Sequence, residues 1–276
     1  MRPSGPEIAW SRSRAHTLEP TMRAQIGELW TAIMEAEHRS AAIFATFVLD
    51  LIGAGAPREI VSVASRAVLD EVRHADLCAR LAELYTGRPV EPPAGLPHVP
   101  DDPSFTLFQQ SVRQALFLSV ASETYSAVTL ATTHDRARDP VVRGVAGAIL
   151  ADEVHHARLG WSYLRFLLES DRAGEVRVFV ATQLGSVFDD LARALFGNGD
   201  ALPPPAYRGR AAALASEHGY IPIREQHAMF LDALRDIWIP TFRSLGFATT
   251  ALDARVASSR GRSRRGRSDR GGGGAS

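Results

Sequence analysis

Asp70-Glu71-Val72-Arg73-His74 returns 82 residues later as Asp152-Glu153-Val154-His155-His156. In each copy a carboxylate and an imidazole stand three residues apart within an apolar-periodic segment, so on a helix they project from one face, one turn apart. A single Glu-x-x-His arises readily on a solvated helix face as a surface ion pair. Two copies that share the preceding Asp, the intervening Val and the following Ala (Ala75 and Ala157) point to a repeated unit.

The repeat extends to the helices ahead of each motif. Glu37-His38-Arg39-Ser40-Ala41 through Thr46 aligns with Glu123-Thr124-Tyr125-Ser126-Ala127 through Thr132, matching at Glu, Ser, Ala, Ala and Thr with an offset of 86. The unit is therefore a helical hairpin carrying one Glu followed by one Glu-x-x-His, and it selects Glu37 over Glu35 as the counterpart of Glu123.

Periodicity and punctuation fill in the chain. Met22, Ile26, Leu29, Ile33, Phe44, Phe47 and Leu51 recur at helical spacing from Pro20 until Gly53-Ala54-Gly55 stops them. A second helix starts near Pro57 and runs to Gly87. Arg88 to Pro100 holds five prolines and reads as a crossover connection the length of a bundle. Asp102-Pro103 and Asp139-Pro140 each offer an N-cap followed by proline, opening third and fourth helices that end near His134 and Glu169.

Past Asp171 the pattern predicts a helix over 174–196, a proline linker at Leu202-Pro203-Pro204-Pro205, and a helix from Tyr220 to Leu245 kinked or broken at Pro240. The expected organisation is a loose arm over 1–19, one helical domain over 20–252 (bundle core 21–170, additional helices 171–250) and a disordered Arg/Gly/Ser tail over 253–276.

Composition narrows the function classes. The 31 basic and 31 acidic residues cancel, but the tail from Asp253 holds seven Arg and two Asp, leaving residues 1–252 mildly acidic. Every basic residue is Arg. One cysteine, Cys78, excludes an internal disulfide framework and any site needing two thiolates from this chain, and makes a reducing, cytoplasmic setting the default. No apolar run reaches the length of a membrane span, so no membrane association is expected. The Arg-rich tail reads as a solubilising segment rather than a nucleic-acid contact.

Glu37 sits among Ile33, Ala41 and Phe44, and Glu123 among Ser119, Ala127 and Leu130, so both should point into the bundle. Buried anions cost several kcal/mol each unless compensated, and two divalent cations would neutralise four carboxylates. An oxygen and nitrogen donor set suits Fe or Mn better than structural zinc.

This pattern resembles the ferritin-like di-iron carboxylate superfamily, whose site takes a Glu from each of two helices and a Glu-x-x-His from each of the other two. The resemblance covers roughly residues 21–170. It implies an all-α ferritin-like four-helix bundle, two helical hairpins joined by a long crossover, with one to three further C-terminal helices. By position, Glu37, Glu71 and His74 would serve one iron, and Glu123, Glu153 and His156 the other, with Glu71 and Glu153 as bridges. Asp70 and Asp152 would hold the ligand imidazoles by their far nitrogens. His227 on the late helix is a candidate extra ligand, while Arg73 and His155 fall outside the ligand face and Cys78 reads as core filler.

The duplicated motif argues against a storage cage, a single cysteine against the cysteine-ligated iron of rubrerythrins, and Cys78 and Gly160, one turn after the two candidate ligand histidines, against the ribonucleotide reductase small subunit, which has a radical Tyr at such a position. What remains is the oxygen-activating branch. There, two iron ions (or an Mn/Fe pair) and O2, fed by an external electron donor, oxidise a small organic substrate by hydroxylation, N-oxygenation or a related reaction. The resemblance to arylamine N-oxygenases is weaker, since Ile149 stands where those enzymes have an additional His. The competing class is a ferritin-like iron-binding or peroxide- and O2-scavenging protein without an organic substrate. Ala41, Ala75, Ala127, Ala157 and Gly160 would leave room for O2 and a substrate, or allow close helix packing. The additional helices would wall a pocket or form a homodimer interface.

Overall fold

Helix boundaries follow local chemistry closely. In the computed structural model, which describes residues 8–95, 103–197, 202 and 206–258, α1 (Pro20–Gly53) opens where the Glu19 carboxylate accepts from the amides of Thr21 and Met22. α2 (Arg58–Thr86) starts just after Pro57 and stops at Gly87, whose φ of 72° only glycine adopts readily. α3 (Leu107–Gln114) runs without a break through a π-helical stretch, Ala115–Glu123, into α4 (Thr124–Arg136). α5 (Pro140–Leu168) is capped by Asp139, whose carboxylate accepts from the amides of Val141 and Val142.

α1 lies along α2, and α5 lies along α4 and the π-helical stretch. α2 also packs on α5, and α1 on α3, so the four long rods enclose a common interior. Two apolar clusters fill it. One holds Phe44, Phe47, Leu116, Leu164 and Val180; the other holds Ile26, Trp30, Met34, Cys78, Leu81, Val145 and Ile149. The Glu and His side chains of the repeated motif lie at the level between them.

Among the described residues all regular structure is helical, and no helix is long and apolar enough to cross a membrane. The additional helices outnumber expectation: α6 (Ala173–Phe196), α7 (Gly209–Glu217), α8 (Ile223–Ala233) continuing through a π-helical turn, Leu234–Trp238, into α9 (Ile239–Ser244), and a last helix over 250–258. Phe188 meets Trp238 and Phe242 edge to face, and Phe230 meets Trp238 at a tilt, tying α6 to α8 and α9. The Trp238 indole donates to the Val120 carbonyl of the first π-helical stretch at 2.8 Å.

Several expectations need correction. The third helix begins at Leu107, not at Pro103, because Thr106 and Gln109 form a reciprocal capping box that a preceding proline cannot match; Asp102 lies outside the described residues. Pro240 does not break its helix. It lacks an amide proton and crowds the carbonyl four residues back, and the π-helical turn ahead of it absorbs that strain. α7 was not anticipated, being short and weakly apolar. Residues 253–258 continue a helix, held where Arg243 grips the Asp253 carboxylate at 2.8 and 2.9 Å. The tail beyond, the end of the crossover and Pro203 to Pro205 lie outside the described residues.

Residues 8–19 are not a free arm. Two short 3-10 turns, Trp10–Arg12 and Ala15–Thr17, lay Ala15 and Leu18 into the core. The Ser13 hydroxyl and the Arg14 amide donate to the same Asp139 that caps α5, at 3.2 and 2.6 Å, and the amides of Arg138 and Asp139 donate to the Glu217 carbonyl at the end of α7. Asp139 thus joins three segments distant in sequence. Asp139→Ala should lower unfolding stability by about 2 kcal/mol or more, beyond a simple cap loss, in urea titration. A change within a few tenths would show that the junction is held elsewhere.

Candidate metal centre

Four parts of the repeat deliver the six side chains of the cluster. α1 supplies Glu37, α2 supplies Glu71 and His74, the π-helical stretch supplies Glu123 at its last residue, and α5 supplies Glu153 and His156. The i, i+3 spacing puts Glu71 with His74, and Glu153 with His156, on the inner faces of adjacent rods. Glu71, His74 and Glu153 are 0% exposed.

Both imidazoles present Nδ1 to the carboxylates. His156 Nδ1 stands 2.9 Å from Glu71 and 3.1 Å from Glu153. His74 Nδ1 stands 3.3 Å from Glu153, 3.6 Å from Glu71 and 3.8 Å from Glu37. Two donor groups result: Glu37, Glu71, His74 and Glu153, and Glu71, Glu123, Glu153 and His156. The donor atoms within each lie within 4.8 Å of one another. Glu71 and Glu153 belong to both, so each of the remaining four donors belongs to one.

The far nitrogens are held crosswise. His74 Nε2 faces Asp152 at 3.3 Å, and His156 Nε2 faces Asp70 at 3.5 Å, so the acid of each motif orients the imidazole of the other. Arg73 anchors Asp152 from the surface. His155, its positional equivalent, is exposed.

Charge balance exposes what the cluster lacks. Both Glu71 oxygens, one oxygen each of Glu123 and Glu153, and His74 Nδ1 are buried without an aligned hydrogen bond. Burial first, then the charges of Glu71 and Glu153, leave Glu37 well above the usual carboxylate range against the opposing hydrogen bond with His74; burial and the charges of Glu153 and Glu71 do the same to Glu123. Burial would lower both histidines, but bonds led by Asp152 raise His74, and bonds led by Asp70 raise His156 to about 11. Without cations, then, protons hold the cluster together.

Two divalent cations would replace those protons and engage the orphaned oxygens. Carboxylate and imidazole donors of this kind fit Fe or Mn, and the crossed aspartates supply the supporting hydrogen bonds that metal-binding histidines ordinarily have.

The remaining candidates separate. His227 is in neither donor group, and its ring packs edge-on against Phe196 at 5.1 Å. Cys78 is buried in the apolar cluster beside the site, and burial pushes its thiol up. Gly160 leaves no open space: a Cβ there would come within 2.8 Å of the Ala115 carbonyl and 2.9 Å of Ser119. Its role is close packing of α5 on the π-helical stretch.

Sequence reading missed two supports. Ser119 accepts from the Gly160 amide at 2.7 Å and donates to the His156 carbonyl, fixing the backbone that carries the ligand; the facing small pair Ser119 and Gly160 was the available signal. The Phe44 ring packs edge-on against His156 at 5.3 Å.

Two outcomes are expected. In metal-free protein Glu37, Glu123, His74 and His156 hold protons that the unfolded chain releases, so their contribution to stability should fall as pH rises, whereas Glu153 and Asp152, held below the usual carboxylate range, lose theirs as pH falls. The His156 share is complete below about 6.5, the unfolded value, and lost as pH climbs through about 11. Divalent-cation binding should conversely strengthen with pH and release protons, measurable by calorimetry in buffers of different ionisation enthalpy. Asp70→Asn and Asp152→Asn should each weaken metal affinity about 10- to 100-fold with the fold intact, checked by competition with a chelator.

Compared with known proteins, the chain finds no counterpart: no family model, no curated protein and no solved structure matches it.

Proposed function

We propose that this chain is a ferritin-like, non-haem di-iron oxidase or oxygenase that uses O2 to oxidise a small organic substrate, drawing on an external electron donor. The observation that carries the proposal is the pair of donor groups sharing Glu71 and Glu153, with buried carboxylate oxygens left over for a cation. Sharing brings the two cation positions close together, as a two-metal reaction on one O2 molecule requires. Iron fits the donor set, and an Mn/Fe pair fits it as well.

When bound, two ferrous ions would together supply two electrons to O2. The protein's own contribution is positional. Glu37, Glu71, His74 and Glu153 would hold one ion, and Glu71, Glu123, Glu153 and His156 the other. Asp152 and Asp70 fix the imidazoles so that Nδ1 faces inward. The apolar clusters on either side keep bulk water from the reacting centre. A lone buried cysteine fits a cytoplasmic setting.

One observation favours the alternative, an iron-binding or peroxide- and O2-scavenging protein: Gly160 serves helix packing rather than substrate room. The helices beyond α5 would wall a substrate pocket, which favours the enzyme.

The test is anaerobic loading followed by exposure to O2. About two iron ions per chain should bind, and ferrous protein should consume O2, faster in the presence of a true substrate. Glu71→Ala and Glu153→Ala should each abolish that consumption. One metal per chain, or none, would overturn the site; consumption that no candidate substrate accelerates would select the scavenging alternative.

A further inference from the structure

The outer face of the first hairpin is apolar where it meets solvent. Leu69 is 71% exposed, Leu49 69% and Ile52 59%, three of the four most exposed large apolar side chains among the described residues, and Val72 is 46% exposed. A single exposed leucine is ordinary, but an exposed apolar strip marks an interaction surface.

The strip has a register. On α1, Ala42, Ala45, Leu49 and Ile52 follow one another at intervals of three, four and three, and on α2 Ser62, Ser65, Leu69 and Val72 repeat those intervals. A helix meets another helix along a seam with this spacing, yet here the seam faces out of the bundle. Asp70 and Arg73 turn the other flank of α2 toward α5, where they reach His156 and Asp152, which leaves Leu69 and Val72 on the flank toward α1.

Charge is absent along both runs. Between Arg39 and Arg58 the only charged residue is Asp50, which is buried, and none occurs between Glu59 and Arg66. The repeat supplies a comparison: 86 residues on, the positions matching Leu49 and Ile52 are Asp135 and Arg138, both exposed. The same place in the second hairpin carries charge.

The strip is also complementary to itself. Gly27 lies against Tyr85 and Thr86, and Glu37 lies near His74, which sets Ala45 level with Ala67. A second copy turned over about an axis crossing the hairpin at that level would meet bulky residues with small ones. Leu69 would lie over Ser65 of the other copy, Val72 over Ser62 and Leu49 over Ala42, with Ala45 near its own counterpart so that the helices approach closely. The same axis sets Arg58, whose side chain is 92% exposed despite its bond to Glu59, against the exposed Asp76. Each pairing then occurs twice, as a self-complementary contact requires.

We propose that this face is the interface of a homodimer, in which two first hairpins stack antiparallel as a four-helix layer. The candidate metal ligands Glu37, Glu71 and His74 are buried on the inner side of the same two helices, so dimerisation braces α1 and α2 from outside without entering the site.

The test is sedimentation of full-length protein over a range of concentrations. Wild type should sediment as a dimer, and the variant carrying both Leu49→Glu and Leu69→Glu as a monomer with unchanged helical circular dichroism. Arg58→Asp and Asp76→Arg should each raise the dimer dissociation constant about tenfold, since two facing like charges replace two ion pairs. Combined in one chain, they should return it close to the wild-type value. A dimer that survives the paired leucine substitutions, single charge variants that leave it unchanged, or a combined variant that fails to recover overturns the proposal. So does a wild type that stays monomeric, whether it floats with phosphatidylglycerol vesicles, the mark of a lipid-facing strip, or remains in solution.

Discussion

Four carboxylates in the interior of a helical protein are the constraint on which the structure turns. Unpaired, they would oppose folding by several kcal/mol each, more than the net stability of many domains. The structure confines them to one layer, with an apolar cluster on either side and two imidazoles among them. Everything adjacent serves that layer: Asp70 and Asp152 orient the imidazoles, Arg73 holds Asp152, and Ser119 ties the backbone of α5 to the rod that brings in Glu123.

The π-helical stretch shows how the layer is reached. Nine residues wound at i, i+5 shift Glu123 around the rod relative to an ordinary helix. Such a stretch widens the helix and leaves its carbonyls less regularly paired. Trp238 donates to one of them from the distal helices, and Gly160 lets α5 approach the same wall closely. The C-terminal helices therefore brace the π-helical stretch as well as adding surface.

Much of this was legible in the residues. The repeated Asp-Glu-x-x-His and the hairpin offset pointed to all six members of the two donor groups, because helical periodicity fixes a face and polar residues on an apolar face stand out. Asp139 and Gly87 announced their helix ends for local reasons. The π-helical stretch was not legible: Ala115 to Glu123 contains no Gly, Pro or other break, and its winding is decided by what packs against it. The Asp139 junction was hidden for the same reason, since Ser13, Arg14 and Glu217 meet it only through the tertiary fold.

The crossed pairing of aspartates and histidines has a meaning in terms of symmetry. If each hairpin oriented its own imidazole, a hairpin would be a self-sufficient half. Because Asp70 serves His156 and Asp152 serves His74, neither half can orient its own donors. The relation is the self-complementary one that a two-fold axis imposes on two identical subunits. Joining the hairpins in one chain turns what would be a meeting of two molecules into an internal event at high effective concentration. It also frees the two halves to diverge: Arg73 and His155 occupy the same place in the repeat and no longer need to be the same residue.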